Sequence, residues 1–255
     1  MKKREATFNL KRFLMANIVP IIFILLSAFA IPISQFSAPY LVQEMLIRLA
    51  RDSFLVLSLL VPIIAGMGLN FGMVLGAMAG QIGLILVSDW KVMGLPGMTL
   101  AAIIATPLAV ALGWMCGAIL NRAKGREMVT SYILGFFVNG LYQLVVLYFF
   151  GSLIPIHSPE LVLSRGYGIR NAVNLVGIRN CLDYLIPVTI HGIRVPLGTF
   201  IVIAAFSAFI VWFRKTKLGQ DMRAVGQDME VSRSAGIPVE RTRLISIVIS
   251  TVLAA

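Results

Sequence analysis

The sequence predicts an all-α, polytopic membrane protein, a single transmembrane domain over 1–255 with about six apolar spans, the last cut short. Three observations carry this. Of the 255 residues, 58% are hydrophobic and only 13% charged, against about 45–50% and about 25% in soluble domains. The mean hydropathy is +0.90. The charge that remains, formally +11, gathers between the apolar runs, where Lys and Arg set membrane orientation. That placement, and the lack of an aromatic-rich basic motif, argues against nucleic acid as a partner.

The basic flank Lys2, Lys3, Arg4, Lys11 and Arg12, against the single acid Glu5, precedes an apolar run from Phe13 to about Ile33. Flank, run and Ala28-Phe29-Ala30 also fit a cleaved signal peptide. The length of the run and the spans that follow favour a first crossing with the N-terminus inside. Residues 34–52 read as a polar outer loop. Phe54 to Val87 is uncharged, too long for one span and short for two. Its glycine-rich centre, Gly66 to Gly72, fits two short helices meeting there, or a helix broken within the bilayer. Gly68, Gly72, Gly76 and Gly80 recur every four residues, a spacing that on a helix forms one packing face.

Asp89-Trp90-Lys91 reads as an outer turn and Met98 to Leu120 as the way back in, to the basic loop 121–127. Met128 to Ile154 leads out again. Residues 155–193 form a long outer segment whose arginines depart from the positive-inside rule, which counts short loops best. His157 and His191 show no metal-ligand pattern, and neither do Cys116 and Cys181. Arg194 to Phe213 is the next inward span, and Leu244 to Ala255 begins another that is too short to cross.

Between these last two lies the basic, polar stretch 214–243. Leu218, Met222, Val225 and Met229 fall on one helical face. Gly236 supplies a cap, and Pro238 prevents the helix from resuming. Such a helix fits a solvated connector, a surface lying on headgroups, or a plug for another protein.

The spans carry no Asp, Glu, Lys or Arg except at their edges, which argues against an ion-coupled carrier. There is no phosphate loop, nucleophile elbow or zinc-protease pair, so no catalytic or metal-binding residue is assigned. Asn70, Gln81, Asn139 and Gln143 are the polar groups within apolar runs. They are assigned to the translocation path, the alternative being that each bonds only to a neighbouring helix.

Leu218-Gly219, Ala224-Val225-Gly226, Glu230 and Gly236-Ile237 stand in the register of a known loop. The stretch resembles the coupling loop of bacterial ABC-importer permeases, in the branch serving ribose-type sugars and nucleosides. Val231 and Ser232 replace two usual alanines, and Asp228 a common Asn. Gly66 to Phe71, Gly76 to Gln81 and Gly125 to Val129 are similar to that branch too. The resemblance implies a non-enzymatic permease of the bacterial inner membrane, in contact with lipid. It further implies a cytoplasmic ATPase subunit holding the ATP and Mg, a second permease subunit, and an extracytoplasmic solute-binding protein. Leu218, Met222, Val225 and Met229 would then be the face that docks on the ATPase, in a coupling loop that also includes Gly226, Glu230 and Gly236, the last capping the lever. A passive channel for small neutral solutes, or a scaffold that only recruits a partner, remains an alternative.

Overall fold

The computed structural model describes residues 14–15, 17–164, 166–170, 173, 175, 178, 181–182, 187–190 and 193–255. The basic N-terminal flank with Glu5 lies outside them, as do Arg165, Arg179, Asp183 and His191. The chain runs α1 (Ile18–Ser34), α2 (Ala38–Ile64), α3 (Met73–Asp89), α4 (Gly94–Arg122) and α5 (Glu127–Leu144). A π-helical turn, Val145–Phe149, extends α5. An outer segment then leads to a hairpin of β1 (Pro187–Ile190) and β2 (Ile193–Pro196), followed by α6 (Leu197–Phe213), α7 (Lys217–Gln227), α8 (Met229–Ser234) and α9 (Val239–Ala254).

The fold is the all-α membrane architecture expected, with a single short hairpin added among the described residues. By length and composition α4 and α5 with its π turn each suffice to cross a bilayer, and α6 with α7 makes a third across a 76° bend. Helices α1 and α3 are shorter and apolar.

Three expectations need correction, and one is met. The outer loop 34–52 shrinks to residues 35–37, because Ser37 and Pro39 start α2 and Glu44 pairs with Arg48 one turn on, at 2.9 Å. A Pro in the first turn and an i,i+4 ion pair both favour helix. As expected, two helices meet within the run from Phe54 to Val87, at residues 65–72, where Gly66 and Gly68 take φ of +74° and +66°. Gly68 and Gly72 therefore lie off α3, and only Gly76 and Gly80 share its face. The last helix begins at Val239 rather than Leu244, which places Arg243 inside it.

Helix α9 is the centre of the packing. It lies between α3 and α4, with Ile247, Ser246, Ser250 and Thr251 fully buried. Inside a bilayer, helices gain little from hydrophobic association and depend on close approach. Glycines supply that approach here. A Cβ on Gly76 would stand 2.1 Å from Thr251 O, and one on Gly80 2.3 Å from Ala255 O. From the other side, a Cβ on Gly113 would meet the Thr251 hydroxyl. Ala101, Ala105, Ala109, Gly113 and Gly117 form a buried small-residue stripe on α4. The Thr251 hydroxyl donates to Ala109 O at 3.1 Å, adding a polar tie to that contact.

Candidate functional site

Two constellations stand at opposite ends of α5: a junction built around its first turn, and a cavity around its last turns. At about 1.5 Å per residue, Ser131 and Gln143 are separated by roughly 18 Å along the helix.

The stretch 214–243 forms two helices rather than one. Thr216 caps α7, its hydroxyl accepting from Gly219 N at 3.2 Å. Asp228 then breaks the run in extended geometry and caps α8, its Oδ1 accepting from Glu230 N and Val231 N at 2.8 and 3.0 Å. Met229 thus begins a new helix, and the apolar spacing that joined it to Leu218, Met222 and Val225 bridges a break. Gly236 ends α8 with φ +83°, the left-handed geometry expected of it.

The stripe on α7 points inward. Met222 is fully buried with Val61 and Ala65 of the α2 end, and Leu218, Ile245 and Ile249 pack around them. Val225 is equally buried. The expected docking face is therefore occupied by this chain's own helices. Glu230, Val231 and Arg233 of α8 remain exposed, Val231 at 65%.

Gly226 faces the α2–α3 break. A Cβ there would lie 2.2 Å from Ile64 O, and a Cβ on Gly66 would lie 2.7 Å from the Gly226 Cα. Backbone meets backbone, so only glycine fits on either side. The same break reaches α5: Phe71 N donates to the Ser131 hydroxyl at 3.2 Å, and Phe71 stacks edge-on with Tyr132. Asn70 sits within the break, buried, its Oδ1 accepting from Gly72 N at 2.9 Å. It serves the turn and is not among the residues lining the cavity.

One ion pair completes the junction. Arg243 of α9 is fully buried, and its guanidinium bonds to the Glu127 carboxylate at the start of α5. Its other terminal nitrogen lies 3.6 Å from the Met229 sulfur of α8. Three helices meet on one side chain. The expectation of charge only at span edges holds for position but not for environment, since this arginine is sealed from water.

At the far end, Gln81 of α3 and Asn139 and Gln143 of α5 line one cavity of about 570 Å³, together with Tyr142 and Arg170. Three of the four polar residues singled out in the sequence therefore converge, and Asn70 does not join them. The π-helical turn adds Val146 and Leu147 to the wall; such turns often mark functional sites. Ile169 and Arg170 close the outer side. That outer segment is fastened by Asp89, whose Oδ1 accepts from His157 N and Ser158 N, both at 2.8 Å. Asp89, Glu127 and Arg243 belong to no motif that singles them out in the sequence. The visible signal was each charge abutting an apolar run.

Comparison with known proteins places these features in context. The family model described as branched-chain amino acid transport system / permease component matches residues 42–255. The autoinducer 2 import system permease protein LsrD of Photorhabdus luminescens is 27% identical over 185 residues, 72% of this chain and 47% of its own length. The nucleoside ABC transporter permease protein NupB of Lactococcus lactis is 25% identical over 198 residues, 72% of this chain and 49% of its own. The chain thus spans about half the length of the curated relatives it matches. No solved structure matches it at comparable significance.

Proposed function

We propose, from the premise that this chain belongs to the branched-chain amino acid transport system / permease component family, that it is the membrane permease of an ATP-driven importer for a simple sugar or nucleoside. It resides in the bacterial inner membrane with its N-terminus and the 214–243 loop in the cytoplasm. A separate ATPase, holding ATP and Mg, engages the loop. A second permease subunit and an extracytoplasmic binding protein complete the system.

The observation that carries this reading is the cavity at Gln81, Asn139 and Gln143. Amides and a phenol donate and accept hydrogen bonds, which suits a hydroxyl-rich neutral solute. A zwitterionic amino acid is held best where a carboxylate faces its ammonium group. Among the described residues lining the cavity, Arg170 is the only charged one, and its Nε donates to Val162 O at 3.1 Å. The names of the two relatives, an autoinducer 2 importer and a nucleoside transporter, support the same choice over the amino acid of the family's description.

Coupling follows from the junction. A push on the exposed face of α8 reaches α5 through Met229, Arg243 and Glu127, and reaches α2 and α3 through Gly226. Helix α5 then carries the displacement to Asn139 and Gln143. Leu218, Met222 and Val225 act in this scheme as the inner footing of the lever rather than as its contact with the ATPase.

Asn139→Leu with Gln143→Leu in the full-length protein is expected to lower ATP-dependent uptake at least tenfold. Two lost solute hydrogen bonds at about 1 kcal/mol each correspond to roughly thirtyfold. ATPase co-purification should be unchanged. Undiminished uptake would remove both residues from the pathway.

A further inference from the structure

A second hollow, of about 520 Å³, opens between α4 and α9 at their loop end, with Trp114, Asn121, Arg122, Arg241, Glu240 and Leu244 on its walls. It takes no part in the junction or the solute cavity. On α4 Trp114 and Arg122 are eight residues apart and share a face, with Trp114 on the apolar side of the arginine. The lane continues away from the loop through Val110 and Ile103, both exposed. Arg122 and Arg241 are exposed as well. The one carboxylate, Glu240, is already engaged by Lys124 at 2.8 Å and Arg233 at 3.7 Å, so the hollow is net positive.

Asn121 adds a more specific feature. Its Nδ2 donates to Glu240 O at 2.8 Å, while its Oδ1 is buried with no hydrogen-bond partner. A buried acceptor without a donor is costly, and a hydroxyl-bearing ligand would relieve it.

We propose that this groove binds one anionic phospholipid bearing headgroup hydroxyls, of the phosphatidylglycerol type. Its phosphodiester lies between Arg122 and Arg241, whose guanidinium forks match phosphate oxygens. A turn of the Asn121 side chain, partly exposed in the hollow, brings its Oδ1 out to accept from a glycerol hydroxyl. The acyl chains follow Trp114, Val110 and Ile103, with the indole at headgroup depth, where tryptophan concentrates. Basic pockets between spans on the cytoplasmic side are established places for such headgroups.

The test is native mass spectrometry of the full-length protein in mixed micelles of phosphatidylglycerol and phosphatidylcholine with identical acyl chains. Phosphatidylglycerol adducts should exceed phosphatidylcholine adducts by roughly 25-fold, about fivefold for each arginine. Arg122→Gln with Arg241→Gln should bring the ratio close to one. Both side chains are exposed, so folding is not at stake. Arg48→Gln with Arg51→Gln, on α2, should leave the preference intact. Equal adducts in the unmodified protein would overturn the proposal, as would an unchanged preference in the Arg122/Arg241 variant. Displacement of the lipid by excess inorganic phosphate would reassign the hollow to a free anion. Loss of ATPase co-purification in the Arg122/Arg241 variant, with lipid adducts unchanged, would make it a protein contact.

Discussion

Replacing Glu127 by Leu in the full-length protein is expected to destabilise it by about 3–5 kcal/mol, because it strands a buried guanidinium without its counter-ion. Arg243 is fully enclosed, and its Nε already lacks a partner. Removing the arginine as well, as Arg243→Met with Glu127→Leu, should restore most of that stability, since apolar replacements of a buried pair are commonly neutral or better. Unfolding in a denaturing-detergent titration measures both. The double variant separates folding from coupling: it should insert and pack, yet transport less, because α8 and α9 no longer grip the first turn of α5. A Glu127→Leu variant within about 1 kcal/mol of the parent would mean that the pair is not sealed from water. The proposed route from α8 to α5 would then fail.

Gly226→Val is the second large effect. The new Cβ would overlap Ile64 O at 2.2 Å and press on Gly66 N at 3.0 Å. Both obstacles are backbone, so α7 must lift from the end of α2. Overpacking of this kind typically costs 1–3 kcal/mol, here concentrated on the contact that joins the loop to the spans. ATP-dependent uptake should fall below about a tenth, since 1.4 kcal/mol is already tenfold. ATPase binding should persist, because α8 is untouched. Gly66→Ala should give the same phenotype from the opposite side, with the added strain of φ +74°. Normal uptake by both variants would show that the loop does not work through this contact.

The membrane architecture was legible because it rests on composition and run length, which tertiary contacts do not alter. The α7 stripe of Leu218, Met222 and Val225 was legible for the same kind of reason, since period 3.6 survives in any context. Its direction was not. An apolar face looks identical whether it meets a partner or the chain's own α2 and α9. The break at Asp228 was missed because Met229 continued the apolar spacing, although an Asp at that position is a helix-starting residue. Gly68 and Gly72 kept the four-residue rhythm of Gly76 and Gly80, but two positive-φ glycines ended α2 before it could be used. Gln81, Asn139 and Gln143 stood out as polar residues in apolar runs. That they meet depends on how α3 and α5 pack beneath the outer segment. The Glu127–Arg243 pair joins positions 116 residues apart; each charge abuts an apolar run, but nothing local tells which charge is its partner.

The most direct test of the account is reconstitution of the full-length permease with its ATPase and binding protein in vesicles. Uptake of labelled ribose and of a nucleoside would be compared with ATP and with a non-hydrolysable analogue. The account predicts uptake of one of these solutes that requires hydrolysable ATP and is lost in Gly226→Val. Equal flux with ATP, with the analogue and without nucleotide would contradict it and identify the protein as a passive facilitator.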